Sequence, residues 1–236
     1  MPPDNAKSPL RIHLARHAET EWNRVRRVQG VSDIPLNERG MAQASALGAR
    51  FAAEPLEAVY ASPLARARQT AEAIASAHGL EVQIIGDLSE FDQGDLEGRY
   101  LSDIAREYPE LLAAFGKEPG KVRIPGGETL TEVQTRAWRA FTLLLDRHTG
   151  GSIVAVSHNM TLLTLLCRFL GMSLTHFRRL TQSSTGVTSF ERGIQGLHLR
   201  VLNDISHLPP ELRPEEPGIQ PVHLRPGEEN GPAENA

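Results

Sequence analysis

Five side chains in this sequence combine into a recognisable chemistry: Arg16, His17, Arg66, Glu90 and His158. His17 follows the apolar alternation Leu10, Ile12, Leu14 with Arg16 beside it, and His158 follows the run SIVAVS. An imidazole serves as nucleophile, base or donor near neutral pH, and an arginine offers a planar fork of donors suited to phosphate oxygens. Two histidines, two arginines and a loop carboxylate meeting in one crevice would suit phosphoryl transfer, where positioning and charge stabilisation of the equatorial oxygens supply most of the catalysis. Either histidine alone says little in a chain that has nine of them. Two at equivalent strand ends say more.

The elements that must position these residues alternate between strand and helix. Leu10 to Arg16 reads as a strand that gives way to a polar loop. Asn37 can cap a helix with apolar positions Ala44, Leu47 and Phe51, ending before Pro55. EAVYASP is a second strand, Pro63 suits the first residue of the next helix, Gly79 its stop, and Arg66 falls in its first turn. LEVQII is a third strand, followed by an irregular acidic and glycine-rich loop that carries Glu90.

Residues 102–116 have a helical pattern, KEPGKVRIPGG is a connector, and TLTEVQTRAWRAFTLLLDRH is a strongly amphipathic helix whose stripe is Trp138, Phe141 and Leu145. SIVAVS reads as a buried strand with His158 at its end and a helix starting at Asn159 or Met160. TGVTSFERG and LHLRVLND form a terminal hairpin. Beyond about residue 207 the chain turns to Pro, Glu and Gly, which predicts a disordered tail over 207–236, with a flexible stretch over 1–8 at the other end. The expected architecture is a single three-layer α/β/α domain over 9–206, with a mostly parallel central sheet and helices on both faces. In such a sheet ligands bind outside the carboxyl ends of the strands, where both histidines are expected.

Bulk properties exclude several classes. A net charge of -4 gives no basic field for nucleic acid, the N-terminus carries no leader pattern, and no apolar run is long enough to span a bilayer. The single cysteine, Cys167, lies in LTLLCRFLG as a small buried hydrophobe and fits a reducing, cytoplasmic location. There is no HExxH, HxH or paired-cysteine spacing for a metal, no GxxxxGK[ST] phosphate loop and no GxGxxG fingerprint.

LARHAETEWN, VQGVSDIPLNERG, ASPLARARQTAE, LSEFDQGDLEG and VAVSHNMTLLTLL, in that order, resemble the histidine phosphatase superfamily, the phosphoglycerate mutase-like enzymes, over about residues 10 to 203. The resemblance implies that His17 is a nucleophile that becomes phosphohistidine and that Arg16, Arg66 and His158 line the phosphate pocket. Asn23 matches a further phosphate contact, and Asn159 a backbone contribution. Gln29 and Gly30 match a segment near the pocket. Glu90 falls where the phosphatase branch has its proton donor, which requires surroundings that favour the acid form beforehand. Asp92, Asp95 and Glu97 are read as solvated, Arg68 as a surface residue, and Thr20 as shaping the loop with Glu19 and Glu21 paired to arginines.

The resemblance further implies a metal-independent phosphomonoester hydrolase with no cofactor, acting on a small phosphorylated metabolite, with selectivity built by an insertion at about 99–127. Asp92 and Gln93 after Glu90, and Val31 after Gly30, depart from the mutase pattern and favour hydrolysis. The alternatives are a 2,3-bisphosphoglycerate-dependent mutase and a non-catalytic phospho-ligand binding module. No nucleic-acid or membrane partner is expected, and the oligomeric state stays open, a dimer among the options.

Overall fold

The computed structural model describes residues 8–214. Its strands are β1 (Leu10–Arg16), β2 (Leu56–Ala61), β3 (Val82–Ile84), β4 (Ser152–Ser157), β5 (Val187–Gly193) and β6 (Gly196–Asp204). Its α-helices are α1 (Glu21–Arg24), α2 (Glu38–Phe51), α3 (Ala65–Ala75), α4 (Leu101–Glu107), α5 (Pro109–Lys117), α6 (Leu130–Arg147) and α7 (Asn159–Phe169).

The sheet order is β3-β2-β4-β1-β5-β6; β3, β2, β4 and β1 run parallel to one another, while β5 is antiparallel to both β1 and β6. β4 is buried at every position, as a β-branched run with strands on both sides and helices on both faces must be. One face of the sheet packs Ile12, Leu14 and Ile153 against Ala137, Phe141 and Leu144 of α6 and Leu162 and Leu166 of α7. The other packs Ala15, Val154 and Val156 against Leu47 and Phe51 of α2 and Ala67, Ala71 and Ile74 of α3. The expected α/β/α layering is therefore the observed one. No helix among the described residues is long and apolar enough to cross a membrane.

Several local expectations need correction. Residues 102–116 form two helices rather than one, because a residue before proline is pushed out of the helical region, and Tyr108 before Pro109 takes φ -127 and ψ 47. The helix after β2 starts two residues past Pro63, with Leu64, whose own side chain makes no capping hydrogen bond, at the N-cap. The inward face of α6 is Val133, Ala137, Ala140, Phe141 and Leu144, whereas Trp138 is only partly buried and stacks on the Arg168 guanidinium at 4.8 Å.

Order also extends beyond 207. Leu208 is 1% exposed, and the carbonyls of Leu212 and Arg213 accept from Gln43 Nε2 and Arg39 Nη2 of α2. A composition rich in proline hid one apolar anchor and a strap of backbone acceptors. The remainder of the expected tail, from 215, and residues 1–7 lie outside the described residues.

Candidate active site

Sheet register builds the centre of the site. β1 and β4 pair through Arg16 and Ser157, so the next residue of each strand, His17 and His158, emerges abreast of the other. The ring centroids stand 5.1 Å apart with planes at 55°. β2 pairs with the other edge of β4 through Ala61 and Val156, so its next residue, Ser62, arrives on the far side of His158 and places Oγ 2.7 Å from His158 Nε2.

His17 is 2% exposed, with Nδ1 2.6 Å from Ala18 O. A carbonyl only accepts, so Nδ1 carries the ring proton and Nε2 keeps the lone pair. Burial first, then the charges of Arg66 and Arg16, hold the His17 pKa well below the ordinary histidine value. Burial, Arg66 and His17 do the same to His158. Both rings are neutral at pH 7.

Arg16 and Arg66 are buried cations held by carbonyls. Arg16 Nη1 donates to Gln182 O at 2.8 Å, while Arg66 donates to Gly30 O at 2.7 Å and Ser32 O at 2.8 Å. Burial lowers the Arg16 pKa to about 10 against the opposing pull of Glu90, and burial lowers that of Arg66 as well. Both remain charged. Arg66 sits in the first turn of α3, where the helix dipole disfavours a cation. The carbonyls of loop 30–32 and the charges of Glu90, Asp33 and Glu97 compensate.

That loop is itself clamped. Asp33 Oδ1 accepts from Ala65 N and so caps α3 across the chain. The Glu97 carboxylate accepts from Val31 N at 2.8 Å and Ser32 N at 2.9 Å, which leaves the loop's carbonyls for Arg66. Gly30 has φ +52, a conformation that strains other residues, and a Cβ there would push the Glu97 carboxylate off the amides it holds. Glu97, expected as a solvated acid, is instead the pin of the loop. Arg68 is exposed, as expected.

Asn23 is oriented by the start of α1. Its Oδ1 accepts from Thr20 N at 3.1 Å, and a backbone N–H can only donate, so the amide orientation is fixed and Nδ2 is turned away as a free donor. Thr20 is fully buried; its Oγ1 accepts from Asn23 N and lies 2.9 Å from Gln29 Oε1. Glu19 and Glu21 pair with Arg39 and Arg24 as expected. Gln29 and Gly30 therefore support the pocket wall: the first braces Thr20 and the second holds Arg66.

Glu90 is 7% exposed and sits over the N-terminus of α7. It accepts from Phe91 N at 2.8 Å and from Met160 N and Thr161 N at 3.3 Å. All three donors are backbone amides, two of them from the first turn of α7. The reason is geometric, since the early amides of a helix have no acceptor within it. Asn159, the first residue of α7, brings another such amide next to His158. Arg136 of α6 donates to Ser89 O and to Glu90 O and so fixes the backbone beneath Glu90.

Native proteins leave few buried polar atoms unpaired. Of the seven such side-chain nitrogens among the described residues, four are Arg16 Nε, Asn23 Nδ2, Arg66 Nε and His158 Nδ1. These are donors, or can be; His158 lies in ring contact with His17, and the charges of Arg16 and Arg66 act on it. Donors preorganised in a buried site stabilise an anion far better than they would in water. No group of three or more His, Cys, Asp or Glu among the described residues is placed to hold a metal ion.

Sequence reasoning missed Ser62, Glu97 and Arg136. Ser62 had a signal, as the residue directly after a strand at the histidine end of the sheet. Glu97 and Arg136 had none, because each acts across a long loop closure.

Comparison with known proteins agrees with this geometry. Residues 12–205 match the family described as the histidine phosphatase superfamily (branch 1). The chain is 38% identical to phosphoserine phosphatase 1 of Hydrogenobacter thermophilus, over 71% of this chain and 80% of that protein. It is 34% identical to the Cronobacter sakazakii protein named "Probable phosphoglycerate mutase GpmB", over 84% of this chain and 95% of that one. Among solved structures, Bacillus stearothermophilus YhfR superposes with a TM-score of 0.79 at 34% identity, covering 84% of this chain and 98% of that one. The chain belongs to the histidine phosphatase superfamily, in its branch 1.

Proposed function

We propose that the protein hydrolyses a small phosphomonoester metabolite through a phosphohistidine at His17, without a metal ion and, with its single buried thiol Cys167, in the cytoplasm. The observation that carries this reading is the set of unpaired nitrogens on Arg16, Arg66 and His158 beside a neutral histidine whose Nε2 lone pair is free.

His17 Nε2 attacks phosphorus, the ester P–O bond breaks, and Glu90 gives its proton to the departing alkoxide. Arg16, Arg66, Asn23, His158 and the Asn159 amide hold the phosphoryl oxygens as charge shifts among them. Water then attacks phosphorus, Glu90 takes its proton, and the P–N bond breaks to release inorganic phosphate and restore His17. The segment 99–127 selects the substrate.

The named mutase relative motivates a second reading, isomerisation of a phosphoglycerate. A mutase needs further cations for the substrate carboxylate, yet four of the insertion's five cations, all but Lys117, are engaged: Arg99 with Glu107, Arg106 with Asp103, Lys121 with Glu118 and Arg123 with Glu132. That pairing supports hydrolysis.

Phosphorus NMR in chelator, with 3-phosphoglycerate and a trace of its 2,3-bisphosphate beside p-nitrophenyl phosphate, tests the reading. Inorganic phosphate growing in without the 2-phosphate isomer is the expected result. The isomer without phosphate would establish the mutase, and no change in either tube would leave a binding module.

A further inference from the structure

We propose that Ser62 fixes the tautomer of His158, so that the ring offers a neutral N–H at Nδ1 to the phosphoryl group. The use of that proton rests on the phosphatase reading above; the tautomer itself does not.

The argument is a count of buried donors and acceptors. Ser62 is fully buried, and its Oγ has two neighbours: Leu64 N, which donates to it at 3.3 Å, and His158 Nε2 at 2.7 Å. Since the Leu64 amide can only donate, it takes one lone pair of Oγ, and the hydroxyl proton needs an acceptor. His158 Nε2 is the partner within reach. If the hydroxyl donates to Nε2, the ring proton lies on Nδ1, and that N–H is the one group of this cluster left open.

The opposite tautomer does worse on every count. Nε2–H would then donate to Oγ, the Ser62 hydroxyl proton would have no acceptor among the described residues, and Nδ1 would be a bare lone pair. Two buried groups would go unmet instead of one, each at a cost of about 1–3 kcal/mol. The bare lone pair would also face any oxyanion held by the neighbouring arginines and repel it.

Backbone geometry makes the device rigid. Ser62 N donates to Val156 O at 3.0 Å, two residues before His158 on β4, so the hydroxyl and the ring are fixed to adjacent strand ends. The consequence is a donor that needs no charge. A protonated His158 would add a third cation beside Arg16 and Arg66, whereas the Nδ1–H tautomer contributes a hydrogen bond without that repulsion. Ser62 acts through His158 and is a positioning residue.

Histidine-labelled nitrogen NMR of the full chain reads the tautomer directly, with the His158 signals identified by their loss in His158→Gln. We expect Nδ1 protonated and Nε2 unprotonated in the wild-type protein. In Ser62→Ala the Nε2 signal should gain proton character and the affinity for inorganic phosphate should fall by about tenfold, an effect of about 1.4 kcal/mol. Wild-type protein with the proton on Nε2 would overturn the proposal without any variant. Ser62→Ala with both tautomer and phosphate affinity unchanged would overturn it as well. If the proton is on Nδ1 but wild-type protein binds no phosphate, the tautomer assignment stands and the phosphatase reading fails.

Discussion

Strand β1 and the residue directly after it supply two buried histidines four residues apart, His13 and His17, and they have opposite surroundings. His13 is 7% exposed, with Nδ1 2.7 Å from Ser189 Oγ and Nε2 3.2 Å from Glu54 Oε1 and 3.1 Å from Ser152 Oγ, so both ring nitrogens are engaged and a carboxylate lies alongside. His17 has one nitrogen tied to its own backbone neighbour and the other open, amid arginines and unpaired donors. Burial lowers the pKa of both. Burial and a shifted pKa therefore do not mark a site here; incomplete satisfaction does. His13 closes a structural cluster, while His17 is left with valence to spend on a ligand.

His17→Ala gives the largest effect. Turnover of p-nitrophenyl phosphate should fall by about a thousandfold or more, while the melting temperature is kept or rises, since a site of unmet groups holds stability back. A variant that keeps most of its turnover would break the comparison at its active end.

Arg66→Lys comes next. Lysine keeps the charge but cannot reproduce the fork that joins the two loop carbonyls and leaves Nε free, so kcat/KM should fall by about a hundredfold. A loss of under threefold in steady-state kinetics would show that charge alone suffices.

His13→Ala should do the reverse: kcat unchanged and stability lower by about 2 kcal/mol in urea melts, because Ser152, Ser189 and Glu54 lose their shared partner. It should also flatten the acid side of the stability curve. Burial holds the folded pKa of His13 below the ordinary histidine value of 6.5, so its neutral form belongs to the folded state. That contribution is complete above about pH 6.5 and is lost as pH falls below it, at up to about 1.4 kcal/mol per pH unit. Unchanged acid sensitivity in the variant would remove His13 from this role.

The smallest effect tests the C-terminal strap. Ending the chain after residue 206 removes Leu208 and the acceptors for Gln43 and Arg39, and should lower stability by about 1.5 kcal/mol with little change in kcat. An unchanged melting temperature would return 208–213 to the status of an idle tail.

The layering and the paired strand ends were legible in sequence because each rests on short-range pattern: alternation in β1, a continuous apolar run in β4, Asn37 as a cap that α2 does use. The histidines and arginines were legible as residue types placed after such elements. What resisted reading depends on closures over long stretches of chain. Glu97 reaches back 66 residues to Val31, and Ser62 meets His158 only because β2 and β4 are neighbours in the sheet. Two of the donors around Glu90 are out of reach of short-range pattern for the same reason, since they come from α7, 70 and 71 residues ahead.

The central claim is the phosphohistidine, and the most direct measurement is mass spectrometry of enzyme mixed rapidly with p-nitrophenyl phosphate and quenched in alkali, where a P–N bond survives. The account predicts a phosphoryl group on His17 in the wild-type protein and on no residue in His17→Ala. Turnover in which p-nitrophenol forms while His17 stays unmodified at every quench time, or a phosphoryl group found on another residue, would contradict it.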